Sequence, residues 1–316
     1  MKLDYTAFEV FAHDYDIPVG ECEELGGYVT NSILMSMTHF IYIRTTYNDP
    51  KHTDIVIDWG DGTYNVLKQS ELVTEITDEL KHYITSATAD KDVTFGVKHT
   101  YENNGKYIVK IYGKDYYNLM TPAKTDKNYK NYNLVCRIFD NDLPIASHIT
   151  NISSFVRQSR CLLNVRLPEY HNISSWINIT NLFTGCDNLL SIKGFSRIFK
   201  SLQSFQQVLY GVTSLRECDF VLPPSLFRTS STLNGFAMNC GFVDINTLLS
   251  DNALSAVKEI NMNNAFKGAT FKEGTVIPAD KLWNDKSKIW LNISNCFADC
   301  TDEIRSQVPV SWGGTN

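Results

Sequence analysis

The sequence predicts a mainly β protein with α/β repeats, built as an N-terminal antiparallel β-sandwich followed by a C-terminal solenoid of short repeats. Between residues 33 and 113, segments rich in β-branched and aromatic residues show the alternation typical of half-buried strands. Asp-Gly and Asn-Asn-Gly, which favour tight turns, separate those segments. From about residue 146, similar short blocks that contain Phe recur every 22 to 31 residues, and such self-similarity is typical of a solenoid.

The chain of 316 residues is long enough for about two domains, because single hydrophobic cores rarely grow beyond that size. Changes in composition place the boundaries. We predict a docking segment over 1–32, the β-sandwich over 33–118, a polar linker with a closing strand over 119–145, and the repeats over 146–316.

The first of these strands is predicted within residues 33–47. The stretch TDIVIDWGDGTYNVL then predicts strand, turn and strand, with Ile55 and Ile57 on one face. Apolar residues four apart over 68–90 predict a short amphipathic helix. The segment 93–113 predicts a hairpin closed by Asn-Asn-Gly.

Two motifs in this region resemble those of PKD-like domains of the immunoglobulin type. They are DWGDGT, residues 58–63, and HTYENNGKYIVKIYG, residues 99–113, which fits the His-x-Tyr and Gly-x-Tyr-x-Val pattern of that family. The resemblance covers about residues 33–118. It implies a β-sandwich in which Trp59 packs into the interior.

The two aspartates of DWGDGT raise the alternative of a metal site or an acid pair. Asp side chains bond readily to backbone N–H groups in turns, whereas calcium requires about six or more oxygen ligands, which two carboxylates do not supply. We therefore predict a structural turn without metal. Its residues are Asp58, Trp59, Gly60, Asp61 and Gly62.

In the second half, six Phe residues are aligned as the buried core of the repeats. Small residues, Leu or Ile and often a Pro follow them, so that each unit buries its apolar side chains against its neighbours. The block LFTGCDNLLSI, residues 182–192, resembles degenerate leucine-rich repeats of the BspA-like kind, whose members are usually surface or adhesive proteins. The aligned residues are Phe155, Phe183, Phe205, Phe236, Phe266 and Phe297.

No catalytic motif stands out in the sequence. It has no Gly-x-Ser-x-Gly elbow, no His-Glu-x-x-His and no glycine-rich phosphate loop. The pair Cys296 and Cys300 lacks the further ligands that structural zinc needs. Asn-Ile-Ser/Thr triplets match a glycosylation acceptor, but turn chemistry within the repeats is the favoured interpretation. We predict a non-enzymatic protein without catalytic residues, cofactor or metal.

Net charge and hydropathy indicate which classes of partner are disfavoured. A net charge of −6 disfavours nucleic-acid binding. No stretch of about 20 apolar residues predicts a membrane span, and the N-terminus has no run typical of a secretory signal. A β-sandwich and a solenoid without an export signal suggest a virion component of a tailed bacteriophage.

On this hypothesis the partners are other virion or surface proteins, and a host glycan or receptor. A homo-oligomer is expected, because such appendages usually assemble with rotational symmetry. Two alternatives stay open at this point: a bacterial cell-surface adhesin and, less favoured, a glycan-active enzyme.

Overall fold

A computed structural model describes most of the chain, and the statements below concern the residues that it describes. Within them the protein is mainly β. No helix there is long and apolar enough to cross a membrane. The described ranges are 4–46, 54–67, 92–114, 116–121, 133–140, 142–166, 177–194, 201–202, 205–222, 225–226, 230–250 and 252–316.

The N-terminal region consists of antiparallel strands. Alternation of buried and less buried residues marks them; in the strand that contains Ile55 and Ile57, these two side chains are buried and their neighbours are only partly so, as predicted. The strands are β1 (Tyr5–Ala12), β2 (Gly20–Cys22), β3 (Gly27–Val29), β4 (Thr38–Thr46), β5 (Ile55–Asp58), β6 (Tyr64–Leu67), β7 (Asp92–Thr100), β8 (Gly105–Tyr112), β9 (Tyr116–Met120) and β10 (Val135–Arg137).

These strands form a five-stranded sheet in the order β10-β1-β8-β5-β6, a three-stranded sheet in the order β7-β4-β9 and the small hairpin β2-β3. All their pairings are antiparallel. The predicted hairpin over 93–113 is therefore wrong. Its two strands, β7 and β8, lie in different sheets, because both edges of β8 are occupied by β1 and β5.

Residues 1–32, predicted as a separate docking segment, contain β1. This strand pairs with β8 over its whole length, from Tyr5 opposite Tyr112 to Ala12 opposite Gly105. Its side chains Phe8 and Val10 are fully buried. Strand β1 is thus part of the five-stranded sheet, and the rest of the described segment includes the hairpin β2-β3.

The predicted linker contributes to the same sheet. Val135–Arg137, within the predicted closing strand, forms β10 and pairs with β1. The helix predicted over 68–90 lies outside the described residues.

The second half contains short strands that pair in parallel. They are β11 (Asn164–Arg166), β12 (Ser191–Lys193), β13 (Ser201–Leu202), β14 (Glu217–Cys218), β15 (Ser225–Leu226), β16 (Ser230–Thr232), β17 (Glu259–Asn261) and β18 (Ile289–Asn292). Two α-helical turns, α1 (Ile245–Leu248) and α2 (Asp302–Arg305), and two 3-10 turns, Ala279–Lys281 and Val310–Trp312, complete this half.

Parallel pairing joins β11-β12-β14, β13-β15 and β16-β17-β18. Equivalent residues of successive units therefore lie side by side, such as Val165 beside Ile192, and Ile260 beside Trp290. A single hydrophobic cluster runs from the N-terminal sheets into this half and includes Trp59, Phe155 and Trp312. A smaller cluster lies beneath the β2-β3 hairpin.

Candidate functional site

The corner between β5 and β6 is held by its two aspartates. Asp58 Oδ1 accepts a hydrogen bond from the backbone N–H of Gly60 at 2.9 Å. Asp61 Oδ1 accepts from the N–H of Thr63 at 2.9 Å and from its hydroxyl at 2.7 Å. Both contacts have the two-residue spacing of an Asx turn, which stabilises a tight reversal of the chain.

Trp59 fills the space beneath this corner and is fully buried. Its indole N–H donates to Asn65 Oδ1 at 2.6 Å, and its carbonyl accepts from the Tyr101 hydroxyl at 3.3 Å. His99 stacks on the indole, and Tyr101 stacks in turn on Tyr107 with 4.1 Å between ring centroids. The corner thus anchors a packed column of rings.

The carboxylate of Asp61 has a second partner, since its Oδ2 lies 2.7 Å from His99 Nε2. Burial disfavours ionisation of this group, but the hydrogen bonds from Thr63 and His99 outweigh that effect and lower the pKa of Asp61. Because each aspartate is engaged in local contacts, the corner does not present a free set of oxygen ligands to a cation. No group of three or more His, Cys, Asp or Glu side chains within the described ranges is arranged to hold a metal ion.

In the second half, backbone hydrogen bonds join one turn of the chain to the next. The N–H groups of Asn181, Phe183 and Gly185 donate to the carbonyls of Gln206, Val208 and Tyr210. The same alternate pattern recurs from turn to turn up to the bonds from Asn264, Phe266 and Gly268 to Ser294, Cys296 and Ala298. Every second N–H in a turn is therefore paired with the following turn.

A repeated backbone conformation sets the register of these turns. Each turn has two residues with positive φ, four positions apart. From one turn to the next, the first residue of the pair moves along the chain by 27, 26, 28, 29 and 31 residues. Gly and Asn, the residues that adopt this conformation most easily, occupy most of the positions. The pairs are Ser154/Gln158, Asn181/Gly185, Gln207/Gly211, Gly235/Asn239, Asn264/Gly268 and Asn295/Asp299.

This register corrects the alignment of the six Phe residues. All six are buried, yet they do not occupy equivalent positions. Phe155 and Phe236 follow the first positive-φ residue directly, Phe183, Phe266 and Phe297 come one residue later, and Phe205 precedes it by two. The core accepts a large ring at several adjacent positions, which explains the irregular spacing of Phe in the sequence. The signal that locates the turns is instead the spacing of Asn and Gly in NLFTG and NAFKG.

The Asn-Ile-Ser/Thr triplets start these turns. The side-chain oxygens of Asn151, Asn178 and Asn292 accept from the backbone N–H two residues later, at 2.8 to 3.0 Å. Asn261 makes the same contact with the N–H of Asn263, although the sequence Asn-Met-Asn is not a glycosylation triplet. The fourth triplet, at Asn172, lies outside the described residues. These asparagines therefore have a structural role within the turns.

The eight cysteines form no disulfide. Cys186 and Cys300 are buried and donate to backbone carbonyls of the preceding turn, at 3.0 Å to Val156 and 3.1 Å to Phe266. Burial raises the pKa of the Cys300 thiol to about 11 and of the Cys240 thiol to about 12. Neutral thiols of this kind act as small packing groups and not as nucleophiles or metal ligands.

The two halves are joined by direct contacts. Backbone pairing continues from β9 to Asn151 and from Asn151 to Asn178. Next to the β2-β3 hairpin, Asn188 Oδ1 accepts from the N–H groups of Thr30 and Asn31, and its amide donates to the Asn31 carbonyl. The hairpin is therefore attached to the second half by several hydrogen bonds.

Two of the cavities in the described part of the chain lie away from the corner. One, of about 210 Å³, is lined by charged residues of the N-terminal sheet and β11, including Glu9, Lys106 and Arg137. The other, of about 280 Å³, lies in the last turns and includes Trp290. The sequence patterns gave no indication of either cavity, since the lining residues are far apart along the chain.

In comparisons with known proteins, the chain matches no family model, no curated protein and no solved structure. The positions of its turns, side chains and cavities are therefore the basis for any proposal about its function.

Proposed function

We propose that this protein is a non-enzymatic structural or adhesion component of a bacteriophage virion, attached to the capsid or tail. In this proposal the antiparallel sheets of residues 33–118, together with β1 and β10, form a PKD-like β-sandwich. Residues 146–316 form a solenoid similar to leucine-rich repeats. Each fold assignment is supported by local geometry: the DWGDGT corner in one half and the parallel hydrogen-bonded turns in the other.

The observation that carries the proposal is the continuity of backbone pairing between the two halves. Leu119 of β9 donates to Asn151, Ile152 to Asn178, and the pattern continues through successive turns until Phe297 donates to the carbonyl of Trp312. A hydrophobic core that includes Phe8 and Trp312 accompanies it. A continuous stack of this kind supports a scaffold for binding partners, because stacked repeats present extended surfaces.

The chemistry of the described side chains also favours a scaffold over an enzyme. The corner aspartates, the turn asparagines and the buried cysteines are each committed to backbone contacts. These contacts define turns and packing, and none of them leaves a nucleophile beside a base, as nucleophilic catalysis requires.

Mass spectrometry of purified phage particles tests the proposal. We expect peptides of this chain in particles banded by density, at a stoichiometry that is constant between preparations. A chain found only in lysate and never in particles would refute the virion assignment. Labelled antibody that instead decorates intact bacterial cells would favour the adhesin alternative.

A further inference from the structure

The cavity in the last turns is lined by apolar and polar side chains. Its lining comes from the residues just after α1, from residues 253–255, from the 3-10 turn Ala279–Lys281 and the residues between it and β18, and from strands β17 and β18, and its volume is about 280 Å³. Leu254, Ile260 and Leu282 are buried side chains of its lining. We call it the Trp290 cavity, after the aromatic residue in its wall. Concave sites with a largely apolar lining and a few polar groups are the usual form of small-molecule sites.

Trp290 contributes an aromatic ring to the wall of the cavity. Its indole packs edge-on against Trp312, with 5.0 Å between ring centroids. Its Nε1–H is buried and closed to solvent, so Trp290 contributes its ring and not its donor to a ligand in the cavity.

The two lysines at the cavity are held by the protein itself. Lys281 Nζ donates to the Leu249 carbonyl at 2.8 Å. Lys288 Nζ donates to the carbonyls of Leu254 at 2.8 Å and Val257 at 2.6 Å. Both ammonium groups are held by backbone oxygens, and the carboxylates of Asp280 and Asp285 in the same lining balance their charge, so the cavity has no excess positive charge to select an anion.

Hydrogen-bond acceptors lie in the same lining. Asp280 is exposed, and Asp285 uses Oδ1 for the N–H and hydroxyl of Ser287. These contacts outweigh the effect of burial and lower the pKa of Asp285, so that this carboxylate is ionised at neutral pH. The lining therefore combines an aromatic wall with carboxylate acceptors.

We propose that the Trp290 cavity binds a neutral, hydroxyl-rich ligand, namely a sugar unit of a surface glycan. A sugar ring has apolar C–H faces that pack on the ring of Trp290 and hydroxyls that donate to carboxylates such as those of Asp280 and Asp285. The inference rests on the proposed adhesion function and names the class of ligand for it.

Indole N–H resonances provide a direct test, because the chain has five Trp residues and so five such signals. The full chain, labelled with ¹⁵N, is titrated with glucose, galactose and N-acetylglucosamine at millimolar concentrations. We expect the Trp290 signal, assigned by its loss in Trp290→Phe, to shift with at least one of these sugars. Inorganic phosphate at the same concentration should leave it in place.

Trp283→Phe is the matched control. Trp283 also packs against Trp312, at 5.7 Å, but does not line the cavity. Trp283→Phe should keep the sugar-induced shift of the Trp290 signal. In Trp290→Phe, where binding is followed by calorimetry, affinity should fall at least tenfold, while the signals of indoles that do not contact residue 290 stay unchanged. Asp280→Ala, a surface change that leaves the core intact, should weaken binding severalfold.

Two results would overturn the inference: no shift of the Trp290 signal with any of the sugars, or a shift with phosphate alone. Either result leaves the virion proposal standing if the chain is found in particles. Conversely, sugar binding by a chain that is absent from particles would refute the virion assignment and keep the cavity as a glycan site.

Discussion

The imidazole of His99 lies flat on the indole of Trp59, with 4.7 Å between ring centroids and 10° between the ring planes. Its Nε2 at the same time lies 2.7 Å from Asp61 Oδ2. One residue of β7, in the three-stranded sheet, therefore contacts both the buried aromatic residue and the turn carboxylate of the five-stranded sheet. This contact links the two sheets at the corner.

We expect Asp61→Asn to lower the free energy of unfolding at pH 7 by about 1 kcal/mol, because the amide keeps the turn contact but loses the carboxylate partner of His99. The folded-state pKa of Asp61 lies below the ordinary 3.8. Its contribution is therefore complete above that value and is lost as the pH falls through the folded-state pKa. Urea unfolding of both proteins at neutral and acidic pH measures the difference.

Asp58→Asn is the control for this effect. An Asn at this position retains an oxygen for the Gly60 N–H, and Asn forms the same kind of turn as Asp. Its stability should therefore stay close to that of the native chain at both pH values. An equal loss in both variants, or a loss at Asp61 that persists unchanged in acid, would contradict the assigned role of Asp61.

Alanine substitutions at Gly60 and Gly62 distinguish the steric cost of an added Cβ from the conformational cost of a positive φ in the corner. Both have positive φ, +81° and +91°, but a Cβ at Gly60 would lie 2.7 Å from the Ile108 carbonyl oxygen, whereas one at Gly62 meets nothing within 4 Å. We expect Gly62→Ala to cost about 1 kcal/mol of stability, from backbone strain alone. Gly60→Ala should cost about 3 kcal/mol, because strain and backbone overlap add.

Thermal or urea unfolding of the two variants measures this difference. Equal losses would mean that the corner does not approach β8 as closely as described. A Gly60→Ala protein as stable as the native chain would contradict both the positive φ of Gly60 and its close approach to the Ile108 backbone.

Local patterns of the sequence predicted much of the first half. The alternation around Ile55 and Ile57 and the DWGDGT turn correspond to β5, the corner and β6, because side-chain period and turn chemistry are properties of neighbouring residues. The pairing of β8 with β1 could not be predicted from local patterns of this kind. A turn such as Asn-Asn-Gly connects two strands equally well within one sheet or between two, and the choice depends on β1, almost 100 residues earlier.

In the second half, the repetition was visible in the sequence but its register was not. Phe was a poor marker of the register, because several positions of each turn face the same core. Backbone conformation is a better marker, since the positive-φ positions accept few residue types and recur as Asn181/Gly185 and Asn264/Gly268. The Trp290 cavity had no sequence signal, because Leu249 and Trp290 meet only through stacking of the turns.

The cysteines should be unreactive in the folded protein. Burial raises the pKa of the Cys161 thiol to about 12, and the Cys186 thiol is buried and hydrogen-bonded. Since the thiolate is the reactive form, iodoacetamide at pH 8 should label neither residue within the time that labels all eight after unfolding. Intact-mass and peptide analysis measures the labelling. Rapid modification of Cys161 or Cys186 in the native state would show that the stack opens there.

Gly241 tests how closely successive turns approach each other. Its φ is not in the left-handed region, so an alanine is conformationally acceptable. An added Cβ would nevertheless overlap the Thr213 carbonyl oxygen and lie 2.9 Å from that of Leu215, both in the preceding turn. We expect Gly241→Ala to lower the free energy of unfolding by about 3 kcal/mol, because backbone atoms cannot move aside as a flexible side chain can.

Gly274→Ala is the matched comparison, since its φ is +70° and its Cβ would meet nothing within 4 Å. It should cost about 1 kcal/mol from strain. The order of the two losses in urea unfolding is decisive, because a conformational penalty alone would make Gly274→Ala the worse variant. A larger loss at Gly274 would mean that the turns are not in backbone contact at Gly241, and the continuous stack on which the proposed scaffold depends would be refuted.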